Sequence, residues 1–284
     1  MMRGISLALV LAVCASGACV VVPPEQKELY RTGNLAAAKC FFEAGEQGRA
    51  FALLSELQKK FPNNADVLYL EAKLHMKAFN DATFAMFEHA PNSYRVHELS
   101  GEIFETQNRY KDAAEEYRKA IALAPGAPDL HFRLGRALLL ESHDRDALAG
   151  AEEAFREELK LSPGDGACEF QLGQIAQVRA EPAEAKKHFE EALEMSPDFV
   201  QAMIALAKID IGEKNYSRAI ELLSRATVLQ PANETAHYAL MQAYRDSGDL
   251  EKAKAEKKKL DQLQKPPEGE FSDFLKKLGE KAPQ

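Results

Sequence analysis

Tryptophan is absent from this chain of 284 residues, and cysteine occurs only four times, at Cys14, Cys19, Cys40 and Cys168. Four thiols so dispersed form neither a disulfide-dense scaffold nor a zinc ribbon, which needs closely spaced cysteine pairs. Excess positive charge is also missing. The net charge of −8 argues against a general nucleic-acid binder, which requires a basic face. No glycine-rich phosphate loop, nucleophile–base pairing or paired-cysteine motif occurs, so the residues make no case for catalysis. What the chain does contain is 46% hydrophobic and 28% charged residues, a balance that suits an all-helical protein with a solvated exterior.

The hydrophobic residues recur with a period. Prolines stand at 91, 125, 163, 197 and 231, and three of the four gaps are 34 residues long. Twelve residues before the last four of them sits an alanine: Ala113, Ala151, Ala185 and Ala219. Each unit carries a small residue near its start (Gly101, Gly135, Gly173, Ala207) and a bulky one near its end (Tyr117, Phe155, Phe189, Leu223). Glycine within a helix costs about 0.5–1 kcal/mol relative to alanine. Three at one phase therefore imply two helices in close approach, with the bulky residue filling the gap. Proline then ends the second helix. A unit of this length cannot bury its apolar face alone and must stack on copies of itself.

These residues resemble the tetratricopeptide repeat (TPR) family. The stretch from Gly166 to Phe199 matches best, at Leu172, Gly173, Ala185, Phe189, Ala192 and Pro197. Units beginning at Tyr94, Pro128 (around a four-residue insertion), Val200 and Glu234 follow the same pattern, as does Arg31 to Pro62. Residues 65–92 form a shortened unit, its second helix cramped between Asn80 and Pro91. The resemblance implies a right-handed α-solenoid of about seven helix–turn–helix repeats over residues 31–264. The matched positions are packing positions, so the resemblance specifies fold and not partner.

Residues 1–18 read as a signal peptide: Arg3, an apolar stretch from Ile5 to Val13, then small residues through Ala18. Three fates stay open. Cleavage after Ala18 would place Cys19 first, as in bacterial lipoprotein precursors, although Ser16 stands where leucine is usual; simple secretion is the second and an uncleaved anchor the third. Residues 19–30, with Pro23 and Pro24, are expected to be a tether. Residues 265–284 hold Phe271, Phe274, Leu275 and Leu278 at helical spacing, expected to cap the last repeat.

Cys40 and Cys168 fall in distant repeats, too far apart to bridge, and both are expected to be small buried apolar residues. His97, His131 and His237 share the fourth position of their repeats. Equivalent positions lie a helix pair apart, beyond the reach of one ion, so no metal or cofactor is expected.

Family resemblance implies that first-helix positions line a concave groove. The fifth position offers Leu35, Tyr69, Glu98, Phe132, Phe170, Ile204 and Tyr238. The ninth adds Lys39, Lys73, Glu102, Arg136, Gln174, Lys208 and Gln242, with Arg133 one turn from Arg136. The expectation is a non-enzymatic scaffold of the bacterial cell envelope, in the periplasm, lipid-anchored at the outer membrane, or secreted. It would bind a peptide or partner protein in this groove, aromatics as anchors and basic residues meeting acidic groups. Its nearest specific form is an assembly factor resembling the pilotins of type IV pili, a likeness of architecture only. The alternatives are an envelope carrier of a small apolar ligand or metal, and an intracellular co-chaperone-like adaptor if the leader is misread.

Overall fold

The computed structural model describes residues 19–264, so the expected signal peptide and C-terminal capping helix lie outside the described residues. Among the described residues there are thirteen helices and no strand: α1 (Lys27–Glu43), α2 (Gln47–Lys60), α3 (Ala65–His89), α4 (Tyr94–Thr106), α5 (Tyr110–Leu123), α6 (Leu130–Glu141), α7 (Arg145–Leu161), α8 (Gly166–Val178), α9 (Pro182–Met195), α10 (Val200–Gly212), α11 (Tyr216–Leu229), α12 (Glu234–Asp246) and α13 (Leu250–Leu263). None of these helices is long and apolar enough to cross a membrane. The chain divides into two compact units, one ending at Asn92 and one starting at Ser93.

In the second unit every helix packs on the next, from α4 to α13, in five successive hairpins of an α-solenoid. The lock within each hairpin is the one the repeat implies. A Cβ on Gly101 would lie 2.5 Å from the Tyr117 ring, and one on Gly173 would lie 2.5 Å from the Phe189 ring. Where the aromatic is replaced by the smaller Leu223, the facing residue grows to Ala207, and both are fully buried. Volume is conserved across the contact. Ala113, Ala151, Ala185 and Ala219 are likewise sealed from solvent.

At the position where other repeats bury Ala120, Ala192 and Ala226, the second hairpin buries Glu158. Its carboxylate accepts from the backbone N–H of Asp129 at 3.0 Å and of Phe132 at 3.3 Å. Asp129 has a left-handed backbone (φ 65°) and supplies no cap of its own, so Glu158 satisfies the start of α6 from a distance. The three-position pattern of small residues gives no hint of this.

The first unit departs from expectation twice. Residues 65–89 form one unbroken helix, not a cramped hairpin. No glycine or proline interrupts the stretch, Asn64 caps its start by accepting from Asp66 and Val67, and Pro91 ends it. The second departure is the expected tether. Cys19 is disulfide-bonded to Cys40, with a Cα–Cα separation of 5.5 Å. The Val22 N–H donates to Asn34 Oδ1 at 2.7 Å, and Asn34 Nδ2 donates back to the Val22 carbonyl at 3.0 Å. Val22 and Asn34 are both buried, and Gly33 leaves room for Val22, whose Cγ2 would lie 2.4 Å from a Cβ there. The segment is stitched to α1, and α1 itself begins at Lys27, inside the expected tether. Cys40 is therefore a half-cystine and not a free apolar residue, whereas Cys168 is free and buried as anticipated. Burial pushes its thiol pKa well up, so it is unreactive.

Candidate protein-binding surfaces

The expected groove row separates into residues that serve the core and residues that face solvent. Phe132 packs on Phe155, with ring centroids 5.5 Å apart. Phe170 sits between Phe189 at 5.6 Å and Phe199 at 4.9 Å. Ile204 and Glu98 are buried. Tyr69 and Tyr238 are the aromatic members left outside, at 67% and 49% exposure. Spacing alone cannot separate these cases, because a first-helix residue at the fifth position reaches either the neighbouring second helix or open water.

The two arginines of the row are already paired. Arg133 Nη1 lies 2.9 Å from Glu102 Oε1, and its Nε lies 3.8 Å from Glu98 Oε1. Arg136 pairs with Glu105. Both arginines on α6 thus bond carboxylates on α4 and join one hairpin to the next. Burial works against the charge on Arg133, but Glu102, Tyr117 and Glu98 outweigh it and hold its pKa above the ordinary value. A partner's acidic groups would have to displace these glutamates. Gln174 and Lys208 are exposed, and Gln242 donates through Nε2 to Tyr238 Oη at 3.2 Å.

Two clefts bring expected residues together. In the second unit a cleft of about 640 Å³ between α6, α7 and α8 takes in Arg136, Leu140, His143, Gln174, Gln177 and Val178. In the first unit α1 and α3 enclose about 570 Å³, lined by Phe42, Tyr69, Leu70, Leu74 and Met76 and edged by Lys39, Lys73 and Lys77. Beyond this cleft α3 carries residues that were not singled out from the sequence: Phe79, Phe84 and Phe87 are 51%, 75% and 40% exposed. A signal was present in the heptad spacing of Tyr69, Met76 and Thr83, with Ala72, Phe79 and Met86 between them. It was hidden by reading the stretch as two short helices.

Among the described residues, one group could hold a metal ion: Glu169, His188 and Glu191, whose ligand atoms lie within 4.8 Å of one another. His188 Nδ1 is already 2.7 Å from Glu169 Oε2 and 3.4 Å from Glu191 Oε2. Burial, then repulsion from Glu169, raises the Glu191 pKa. The pair recurs in other repeats as His97–Glu116 and His237–Glu256, both at 2.7 Å. It is a tie between the two helices of a hairpin.

The sulfur of Cys19 bears on one of the three fates that the leader leaves open. Bonded to its own Cβ and to Cys40, it has no valence left for an acyl-bearing thioether. In this state Cys19 is not a lipidation site.

Profiles of the tetratricopeptide repeat match residues 77–128, 101–166, 179–228 and 210–266. No curated protein matches the sequence. Among solved structures, PilF of Pseudomonas aeruginosa is similar over 87% of this chain and 97% of its own, at 18% identity and a TM-score of 0.55. YrrB, described as a TPR protein with an unusual peptide-binding site, covers 64% of this chain and 92% of its own, at 18% identity and a TM-score of 0.51. MamA from Desulfovibrio magneticus RS-1 covers 60% and 94%, at 17% identity and a TM-score of 0.53. At such identities the likeness is one of fold.

Proposed function

Starting from a chain that belongs to the tetratricopeptide repeat family, we propose that it is an exported, non-catalytic scaffold of the cell envelope that holds a peptide segment or partner protein in the assembly of a larger complex. Protein binding is the coarse function that the fold carries, and YrrB is a peptide-binding example of it. The observation that carries the finer reading is the solvent-facing set on the first helices of the second unit. Gln174, Lys208 and Tyr238 stay exposed there while their neighbours Phe132, Phe170 and Ile204 are drawn into the core. Rigid hairpins holding exposed amide, ammonium and phenol groups suit an extended segment with both apolar and acidic side chains. Arg133 and Arg136 then act as supports, holding α6 on α4 behind the cleft.

Export is supported by two independent features. The leader pattern is that of a secreted precursor, and the Cys19–Cys40 bond belongs to an oxidising compartment. The disulfide favours plain secretion or periplasmic release over lipid anchoring through Cys19.

The test is site-specific photo-crosslinking in an envelope extract of the native host. Crosslinkers at Gln174 and Lys208 should capture one shared partner, and a crosslinker at Lys187, exposed on α9, should not. Equal capture at all three positions, or none, would reject the groove.

A further inference from the structure

We propose that the first unit carries a second docking surface, built by α1 and the length of α3, and that its occupant is an amphipathic helix of a partner protein with an apolar seam flanked by acidic residues. Three observations converge on it. The first is an unpartnered face. Met76 and Phe79 are more than half exposed and Tyr69 is 67% exposed, whereas the aromatic lock residues Tyr117, Phe155 and Phe189 of the other repeats are fully buried. Phe87, 40% exposed and about five full turns after Tyr69 on the same bearing, extends the patch towards the end of α3.

The second is its period. Tyr69, Ala72, Met76, Phe79, Thr83 and Met86 alternate in steps of three and four, the spacing of a helix–helix seam. The seventeen residue-to-residue steps from Tyr69 to Met86, at about 1.5 Å rise each, make a stripe about 26 Å long. A strand alternates its side chains every second residue and does not match such a seam. A partner helix does, through knobs-into-holes packing.

The third is charge. Lys39, Lys73 and Lys77 edge the cleft, and Glu43 is the carboxylate among its lining residues. That carboxylate sits 3.8 Å from Lys39, while Lys77 Nζ lies 5.4 Å above the Phe42 ring. A local lysine cluster in a chain of net charge −8 selects an acidic partner and disfavours a second copy of the same basic face. This surface does not depend on the groove of the second unit, and neither does its test.

The test uses the full secreted chain with its disulfide intact. The probe is a labelled synthetic helix with a leucine seam and glutamate flanks, and its counterpart carries lysine flanks on the same seam. By fluorescence anisotropy the glutamate helix should bind about 10-fold or more tighter than the lysine helix. Phe79→Glu should remove that binding, and Lys73→Glu with Lys77→Glu should reverse the preference. All three side chains are exposed, so circular dichroism should be unchanged. Equal affinity for the two helices, or binding insensitive to Phe79→Glu, would overturn the proposal. So would a wild-type dimer in sedimentation that Phe79→Glu dissociates, because a second copy would then be the occupant.

Discussion

His237 Nδ1 lies 2.7 Å from Glu256 Oε2, joining α12 to α13, while His237 Nε2 faces the Pro231 carbonyl at 3.0 Å. The same tie links His97 to Glu116 in the first hairpin of the second unit. It appears with the partners exchanged between Glu169 and His188. Lysine follows the glutamate by three residues in two of these hairpins, as Lys119 and Lys259. In the exchanged pair that place is taken by Glu191.

Acid should loosen these ties. Burial pushes Glu256 up, but hydrogen bonds from Lys259 and His237 outweigh it, and its pKa lies below the ordinary carboxylate value; Glu116 is lowered in the same way by His97 and Lys119. A depressed folded-state pKa contributes stability that is present above the unfolded value, about 4.3, and is lost as pH falls through the folded one. Glu256→Gln should therefore destabilise the protein by about 1–2 kcal/mol at neutral pH. Thermal melts should show the gap to wild type closing below about pH 4.

The lock between Gly173 and Phe189 can be tested by exchange. Gly173→Ala should destabilise by about 1–3 kcal/mol through overpacking. Adding Phe189→Leu recreates the Ala207–Leu223 pair of another hairpin. The double variant should then be more stable than the sum of the single effects predicts, a coupling that denaturant titration measures directly.

Glu158 offers a sharper contrast. Glu158→Ala would match the alanine of the other repeats and so look harmless by pattern. It would leave the N–H groups of Asp129 and Phe132 without their carboxylate, at a cost of about 1–3 kcal/mol. Hydrogen exchange should quicken at the start of α6 and stay unchanged in α10.

The N-terminal stitch is accessible to mass spectrometry. Protein purified from its native host should contain Cys19 linked to Cys40 and no acyl mass on Cys19. Closing a loop of 21 residues contributes about 3 kcal/mol by chain entropy, so Cys40→Ser should lower the melting temperature of the first unit. Reduction of the wild type should reproduce that shift.

The hairpins of the second unit were legible because each position meets the same neighbour at the same offset. Gly101 against Tyr117 and Gly173 against Phe189 are sixteen residues apart in both cases, and such contacts repeat in the chain as they do in space. The fates of Phe132 and Tyr238, which share a position in the repeat, were not legible. One meets Phe155 and the other meets solvent, and that depends on what the adjoining helix presents.

Short-range periodicity alone was enough to dictate the helical-hairpin repeat, since burial there runs between sequence neighbours and leaves its period written in the chain. Tertiary structure decided which Cys19 partner was in reach and that Arg133 and Arg136 turn to glutamates of the preceding hairpin. Those outcomes rest on which side chains of different hairpins or of the chain's start come within reach of one another, and only the folded backbone sets such distances.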